Sequence, residues 1–142
     1  MKSFSLLKQP LLTFFDNHVL IEQSTLFPAQ NLQQAIFLLR TRGYRPILAH
    51  PERYVYYQNH FEKFEEIKSY GCLFQLNLLS LSGYYGHPQQ KLAIQLLKSN
   101  MIDLLGTDIH HQRHATALAN MVLNTTINKF IQQAITFQRS FL

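Results

Sequence analysis

Short apolar runs alternate with amphipathic stretches along this chain, and each change of period marks the boundary of a predicted element. HVLI, from His18 to Ile21, reads as a buried strand closed by the acidic Glu22. After Pro28, Leu32, Ala35, Ile36 and Leu39 recur at helical spacing, and Gly43 follows the last of them as a C-terminal stop. PILA, Pro46 to Ala49, is the second predicted strand. It should end at His50, because the residue before Pro51 is driven toward extended geometry. A helix over about 59–70 places Phe61, Phe64 and Ile67 on one side and leaves Glu62, Glu65, Glu66 and Lys68 exposed, with Gly71 as its stop.

A third strand, Leu73 to Leu76, runs into Asn77, and a Ser, Gly and Tyr-rich loop covers Leu78 to Gly86. Pro88 opens a helix through Leu92, Leu96 and Leu97, and a fourth strand over about Asp103 to Leu105 leads into Gly106, Thr107, Asp108 and His110. The tail from Ala115 reads as helical, with Leu118, Met121, Val122 and Ile127 as core candidates. Strands alternating with helices define an α/β class of four parallel βα units joined by right-handed crossovers. Glu22, His50, Asn77 and the Asp108, His110 pair then fall just past the carboxyl ends of successive strands, the end that carries active sites in such folds.

Composition narrows the picture. Of 142 residues, 46% are hydrophobic and only 15% charged, which supplies a core and excludes a disordered or coiled-coil chain. The formal charge of +5 is scattered, and only Arg40, Arg42 and Arg45 are dense, so nucleic acid is not the expected partner. Lys8, Gln9 and Pro10 interrupt the apolar N-terminus, so no membrane span is expected. That segment has no small-residue cleavage site and reads as part of the fold, giving a cytoplasmic expectation. Cys72 has no cysteine partner, so any metal must be held by His and carboxylate.

The seven histidines are the unusual feature of the composition. Asp108 and His110, two apart in an extended segment, present an oxygen and an imidazole into one space. With Glu22 and His50 they make two nitrogens and two carboxylates, a set suited to Zn, Mn or Fe more than to Ca or Mg. Arg53 and Arg113, each three residues past a candidate histidine, offer planar forks for an anionic substrate. Each piece also has a plain reading. Asp108 can be the N-cap of the tail helix, His111 and His114 a solvated cluster, and His18, His60 and His87 surface or strand-start residues.

VLIE (Val19 to Glu22), GYRPILAHPERY (Gly43 to Tyr54), QLNLLSLSGYYG (Gln75 to Gly86) and LLGTDIHH (Leu104 to His111) occur in an order and spacing that carry a family likeness. From about Leu11 to about Ala119, the chain resembles the PHP-domain metal-dependent protein-tyrosine phosphatases of bacterial capsular and exopolysaccharide biosynthesis. The resemblance implies a distorted β/α barrel with a manganese-type cluster at its mouth. It implies Glu22, His50, Asp108 and His110 as metal ligands, Arg53 as a phosphate-binding arginine and Arg113 as a second one. Asn77, Tyr84 and Tyr85 become substrate-binding candidates, the two tyrosines on the rim that receives the phosphotyrosine ring.

Members of that family open with an HxH motif, which is absent before Glu22 here. Residues 1–142 are therefore expected to be the C-terminal portion of a single PHP domain without its first strands. An open edge at the Glu22 strand predicts self-association or a partner that supplies the N-terminal half. The leading function is a metal-dependent protein-tyrosine phosphatase acting on a phosphotyrosine protein, with a tyrosine autokinase of polysaccharide export as a candidate substrate. A phosphatase of a small phosphorylated metabolite and a non-catalytic fragment are the alternatives.

Overall fold

The computed structural model describes residues 17–106 together with 129, 132 and 135. Four strands, β1 (His18–Ile21), β2 (Arg45–Ala49), β3 (Leu73–Asn77) and β4 (Leu104–Gly106), form one sheet in that order. All three pairings are parallel, with registers that include Ile21↔Leu48, Leu48↔Phe74 and Leu76↔Leu105. Between them lie α1 (Leu32–Thr41), α2 (Glu62–Ser69) and α3 (His87–Lys98). The α/β reading therefore holds, with each strand within about two residues of its expected place.

Alternation along the strands divides the sheet into two faces. Val19, Ile21, Leu48, Phe74 and Leu76 point to one face and share a single cluster with Ile36, Leu39, Phe64, Ile67, Leu92 and Leu96 from the three helices. Ile135, from the C-terminal part of the chain, packs against the same cluster. Ile47, Leu73 and Leu104 form a second buried cluster on the opposite face. Consecutive strands in sequence order, with every described helix on one face, make a singly wound unit of the kind that builds β/α barrels. Doubly wound sheets distribute their helices over both faces.

The helix stops follow backbone chemistry. At the end of α1 Gly43 adopts φ +85°, and the Gly43 and Tyr44 N–H groups donate to Arg40 O and Leu39 O, closing a Schellman motif. Two of the three clustered arginines are committed nearby: Arg40 Nη1 donates to Tyr70 O and Arg45 Nε to Gly71 O, capping the carbonyl end of α2. Lys68 departs from the expected exposed position. It is half-buried and bonds Met101 O and Asp103 Oδ2, because its long stem crosses from α2 to the entry of β4. The segment after Asn77 is a 3₁₀ turn, Leu78–Ser82, with Leu79, Ser80 and Leu81 buried, so it is more ordered than a plain loop. The predicted core of the tail, Leu118, Met121, Val122 and Ile127, lies outside the described residues.

Candidate functional site

The carboxyl ends of the strands surround a cleft of about 320 Å³ whose lining includes Glu22, His50, Arg53, Gln75, Asn77 and Gly106. Each strand delivers one polar group or a close backbone approach at its exit. His50 Nε2 lies 3.1 Å from Glu22 Oε2, so residues 28 positions apart meet across the ends of β1 and β2. The imidazole is largely enclosed while the Glu22 carboxylate is open to solvent. Nδ1 of His50 is buried with no hydrogen-bond partner among the described residues.

The backbone at His50 corrects the expectation from its proline neighbour. It adopts φ 38° and ψ 60°, the left-handed region, and is not extended. The cause is partly tertiary: the His50 N–H donates to Gln75 O on β3, while a 3₁₀ turn over Pro51–Arg53 closes with Arg53 N–H on His50 O. Such a conformation in a non-glycine residue costs on the order of 1–3 kcal/mol and persists only where surrounding contacts impose it. The turn aims His50 and Arg53 into the same cleft.

The Arg53 guanidinium lies over the Tyr85 ring, 4.4 Å from its centroid, and Tyr84 meets Tyr85 edge to face. Asn77 touches the same group through a 3.4 Å contact from Nδ2 to the Tyr85 hydroxyl. Its Oδ1 accepts the Leu79 N–H, so Asn77 also caps the 3₁₀ turn. Arg53 and Asn77 thus line the same cleft as Glu22 and His50, and both contact Tyr85, which with Tyr84 lies outside that lining.

Two residues of this neighbourhood escaped the sequence reading. Glu52 is fully buried; its Oε2 accepts the Ser80 hydroxyl at 2.6 Å and the Asn77 N–H at 3.2 Å, while Oε1 has no partner among the described residues. Burial pushes its carboxyl up to about 7, against the opposing pull of those hydrogen bonds. Tyr54 is also fully buried; its hydroxyl donates to Ala49 O and accepts the Gln23 N–H, both at 2.9 Å. Burial raises its pKa, which keeps the donor proton in place. A signal was present in the sequence, since both belong to the HPERY segment that supplies His50 and Arg53.

Asp108, His110 and Arg113 lie outside the described residues. Among the described residues no group of three or more metal-type side chains converges. The donor chemistry of the pair that does converge, one imidazole nitrogen and one carboxylate oxygen over a polar cleft, fits a divalent transition metal. Glu22 and His50 are therefore the described part of a possible ligand set.

A singly wound parallel α/β unit with an imidazole–carboxylate pair and a ring-stacked arginine at its strand exits defines the class of protein. The chain belongs to the capsular polysaccharide synthesis CpsB/CapC family, whose profile matches residues 5–136. It is 32% identical over 88 residues to CapC of Staphylococcus aureus, assigned as a tyrosine-protein phosphatase, covering 59% of this chain and 34% of that one. It is 28% identical over 111 residues to the tyrosine-protein phosphatase YwqE of Bacillus subtilis, covering 75% and 42%. A solved structure from work on YwqE of Bacillus subtilis and CpsB of Streptococcus pneumoniae, described as unique metal-dependent tyrosine phosphatases, shares its fold. There the TM-score is 0.69 at 24% identity, over 95% of this chain and 58% of that one. The chain thus spans between a third and about two fifths of the length of these two curated relatives.

Proposed function

We propose that this chain carries part of the active site of a metal-dependent protein-tyrosine phosphatase linked to capsular or exopolysaccharide biosynthesis. The observation that supports this most is the meeting of Glu22 and His50 at 3.1 Å in a cleft also lined by Arg53. Family membership and the names of the two relatives supply the reaction class. Glu22 and His50 would hold a divalent ion, manganese first and zinc or iron next, with Asp108 and His110 completing the set. When bound, such an ion supplies Lewis acidity toward phosphoryl oxygens and lowers the pKa of water.

The chain's own residues bind and orient. Arg53 offers a permanently charged fork to phosphate oxygens, and its contact with Tyr85 restricts its rotamers before substrate arrives. Tyr84 and Tyr85 form an aromatic rim suited to a phosphotyrosine ring. Asn77 fixes that rim from β3, and Arg113 would serve as a second anion-binding group. A phosphotyrosine protein, such as a tyrosine autokinase of polysaccharide export, is the substrate this reading assigns. The chain is the C-terminal portion of a PHP-type domain on the same reading.

A second reading, a non-catalytic fragment, is favoured by one observation: the chain covers only 34% and 42% of the lengths of its two curated relatives. The test is to measure metal uptake by equilibrium dialysis and initial rates on a phosphotyrosine peptide, a sugar phosphate and histidinol phosphate, each with Mn²⁺, Zn²⁺ or Fe²⁺. Metal-dependent turnover preferring the peptide is expected. Preference for either small phosphate moves the assignment to metabolite hydrolysis. Metal uptake without turnover supports the fragment, and neither uptake nor turnover overturns the metal-site assignment.

A further inference from the structure

The register between β1 and β2 ends at Ile21↔Leu48, one residue short of Glu22 and two short of His50. The last described backbone bond of β2, from His50 N–H, goes to Gln75 O on β3 and away from β1. Besides the Glu22–His50 contact itself, one side-chain oxygen ties the backbone immediately beside these two residues. Tyr54 Oη accepts the N–H of Gln23, the neighbour of Glu22, and donates to the carbonyl of Ala49, the neighbour of His50. The Tyr54 ring lies 5.4 Å from the His50 ring, centroid to centroid, and is itself fully buried. In a site closed to water, two such bonds are stronger than at a surface, and neither group has solvent as an alternative partner.

From this geometry we infer that Tyr54 is a positioning residue whose hydroxyl replaces the missing rung of the sheet and sets the spacing of Glu22 and His50. The inference rests on the reading of those two side chains as metal ligands. It adds that their convergence is imposed from outside the pair. Supporting groups of this kind typically govern metal affinity by 10–100-fold.

Tyr54→Phe removes the hydroxyl and keeps the ring, so it is the variant of choice. Lys68→Met serves as a control, because it deletes part-buried polar contacts to Met101 O and Asp103 at the entry of β4, among residues that do not line the cleft. Two readouts are taken on the full chain: Mn²⁺ affinity, and the ring resonances of His50 by NMR without added metal. Tyr54→Phe is expected to weaken Mn²⁺ binding about tenfold and to shift or broaden the His50 ring signals. Lys68→Met is expected to lower the melting temperature while leaving both readouts as in the parent chain.

Unchanged His50 signals in Tyr54→Phe overturn the proposal whatever the metal result. Equal loss in both variants also overturns it, since general destabilisation would then account for the effect. A parent chain that binds no Mn²⁺ overturns the metal reading alone, and the NMR comparison still decides whether Tyr54 orders His50. Should Tyr54→Phe fail to fold, Gln23→Pro is compared with Gln23→Ala: both lose the Gln23 side-chain bonds to Ala29 N–H and the Tyr57 hydroxyl, and only Gln23→Pro, which also loses the N–H that Tyr54 accepts, is expected to displace the same ring signals. Unchanged signals there overturn the proposal equally.

Discussion

The two ends of the sheet solve the same problem differently. At the amino ends, polar groups are closed on one another: Lys68 bonds Asp103 and Met101 O, Asp103 also accepts the Phe74 N–H, and Arg45 and Asn17 donate to Gly71 O and Gly43 O. At the carboxyl ends, His50 Nδ1 and Glu52 Oε1 are buried without partners among the described residues, and His50 sits in a left-handed conformation. A buried polar atom left unpaired costs about 1–3 kcal/mol, so this end gives up stability that the other end retains. Uncommitted valence concentrated at one end is what a binding site requires, and the contrast marks that end as the candidate site.

Breaking the carboxyl end should produce the largest functional effect. His50→Ala is expected to reduce Mn²⁺ affinity by about 100-fold or more, with little change in urea unfolding, because the side chain bonds Glu22 alone among the described groups. Isothermal titration checks this, and an unchanged affinity would place the metal elsewhere. Deep in the shared core the effect should be on stability. Phe64 is fully buried and meets Tyr57, Phe61 and Phe74 edge to face, so Phe64→Ala should cost about 3–5 kcal/mol in denaturant unfolding.

At the amino end, Asp103→Ala strands the Phe74 N–H and leaves the Lys68 ammonium with Met101 O in place of its carboxylate, an expected loss of about 1–3 kcal/mol. Unlike His50→Ala, it should leave Mn²⁺ binding intact. A loss of metal affinity here would erase the distinction between the ends. The smallest effect belongs to Gly43→Ala. A methyl group there meets nothing within 4 Å, so only the positive φ opposes it, at about 1 kcal/mol. A larger loss would mean that the α1 stop also carries packing.

Much of this was legible before any coordinates. The strands at His18–Ile21, Arg45–Ala49 and Leu73–Asn77 follow from short apolar runs ended by polar residues, and parallel pairing follows from the helices between them. The meeting of Glu22, His50 and Arg53 was legible too, because a parallel sheet forces its strand exits together. Glu52 was not legible, since a glutamate between proline and arginine has every local mark of a solvated turn. Only the Ser80 hydroxyl and Asn77 N–H, brought from another βα unit, explain its burial. The left-handed His50 was hidden for a related reason. The pre-proline preference is a local steric tendency, and the bond to Gln75 O is a tertiary contact that overrides it. Lys68 read as exposed because its charge faces Asp103, a partner 35 positions away.

The sequence-ordered sheet has a consequence for how the chain acquires its structure. The paired positions His18↔Arg45, Ile47↔Leu73 and Gln75↔Leu104 are separated by 27, 26 and 29 residues. Since the entropy of closing a loop depends only logarithmically on its length, the three crossovers carry nearly the same closure cost. Among the described strands none must wait for a distant segment, and each can join the edge left by its predecessor as the chain emerges from synthesis. Glu22 and His50 sit on the first two described strands, and the bond from His50 N–H to Gln75 O means that their pairing is completed only when β3 joins the sheet.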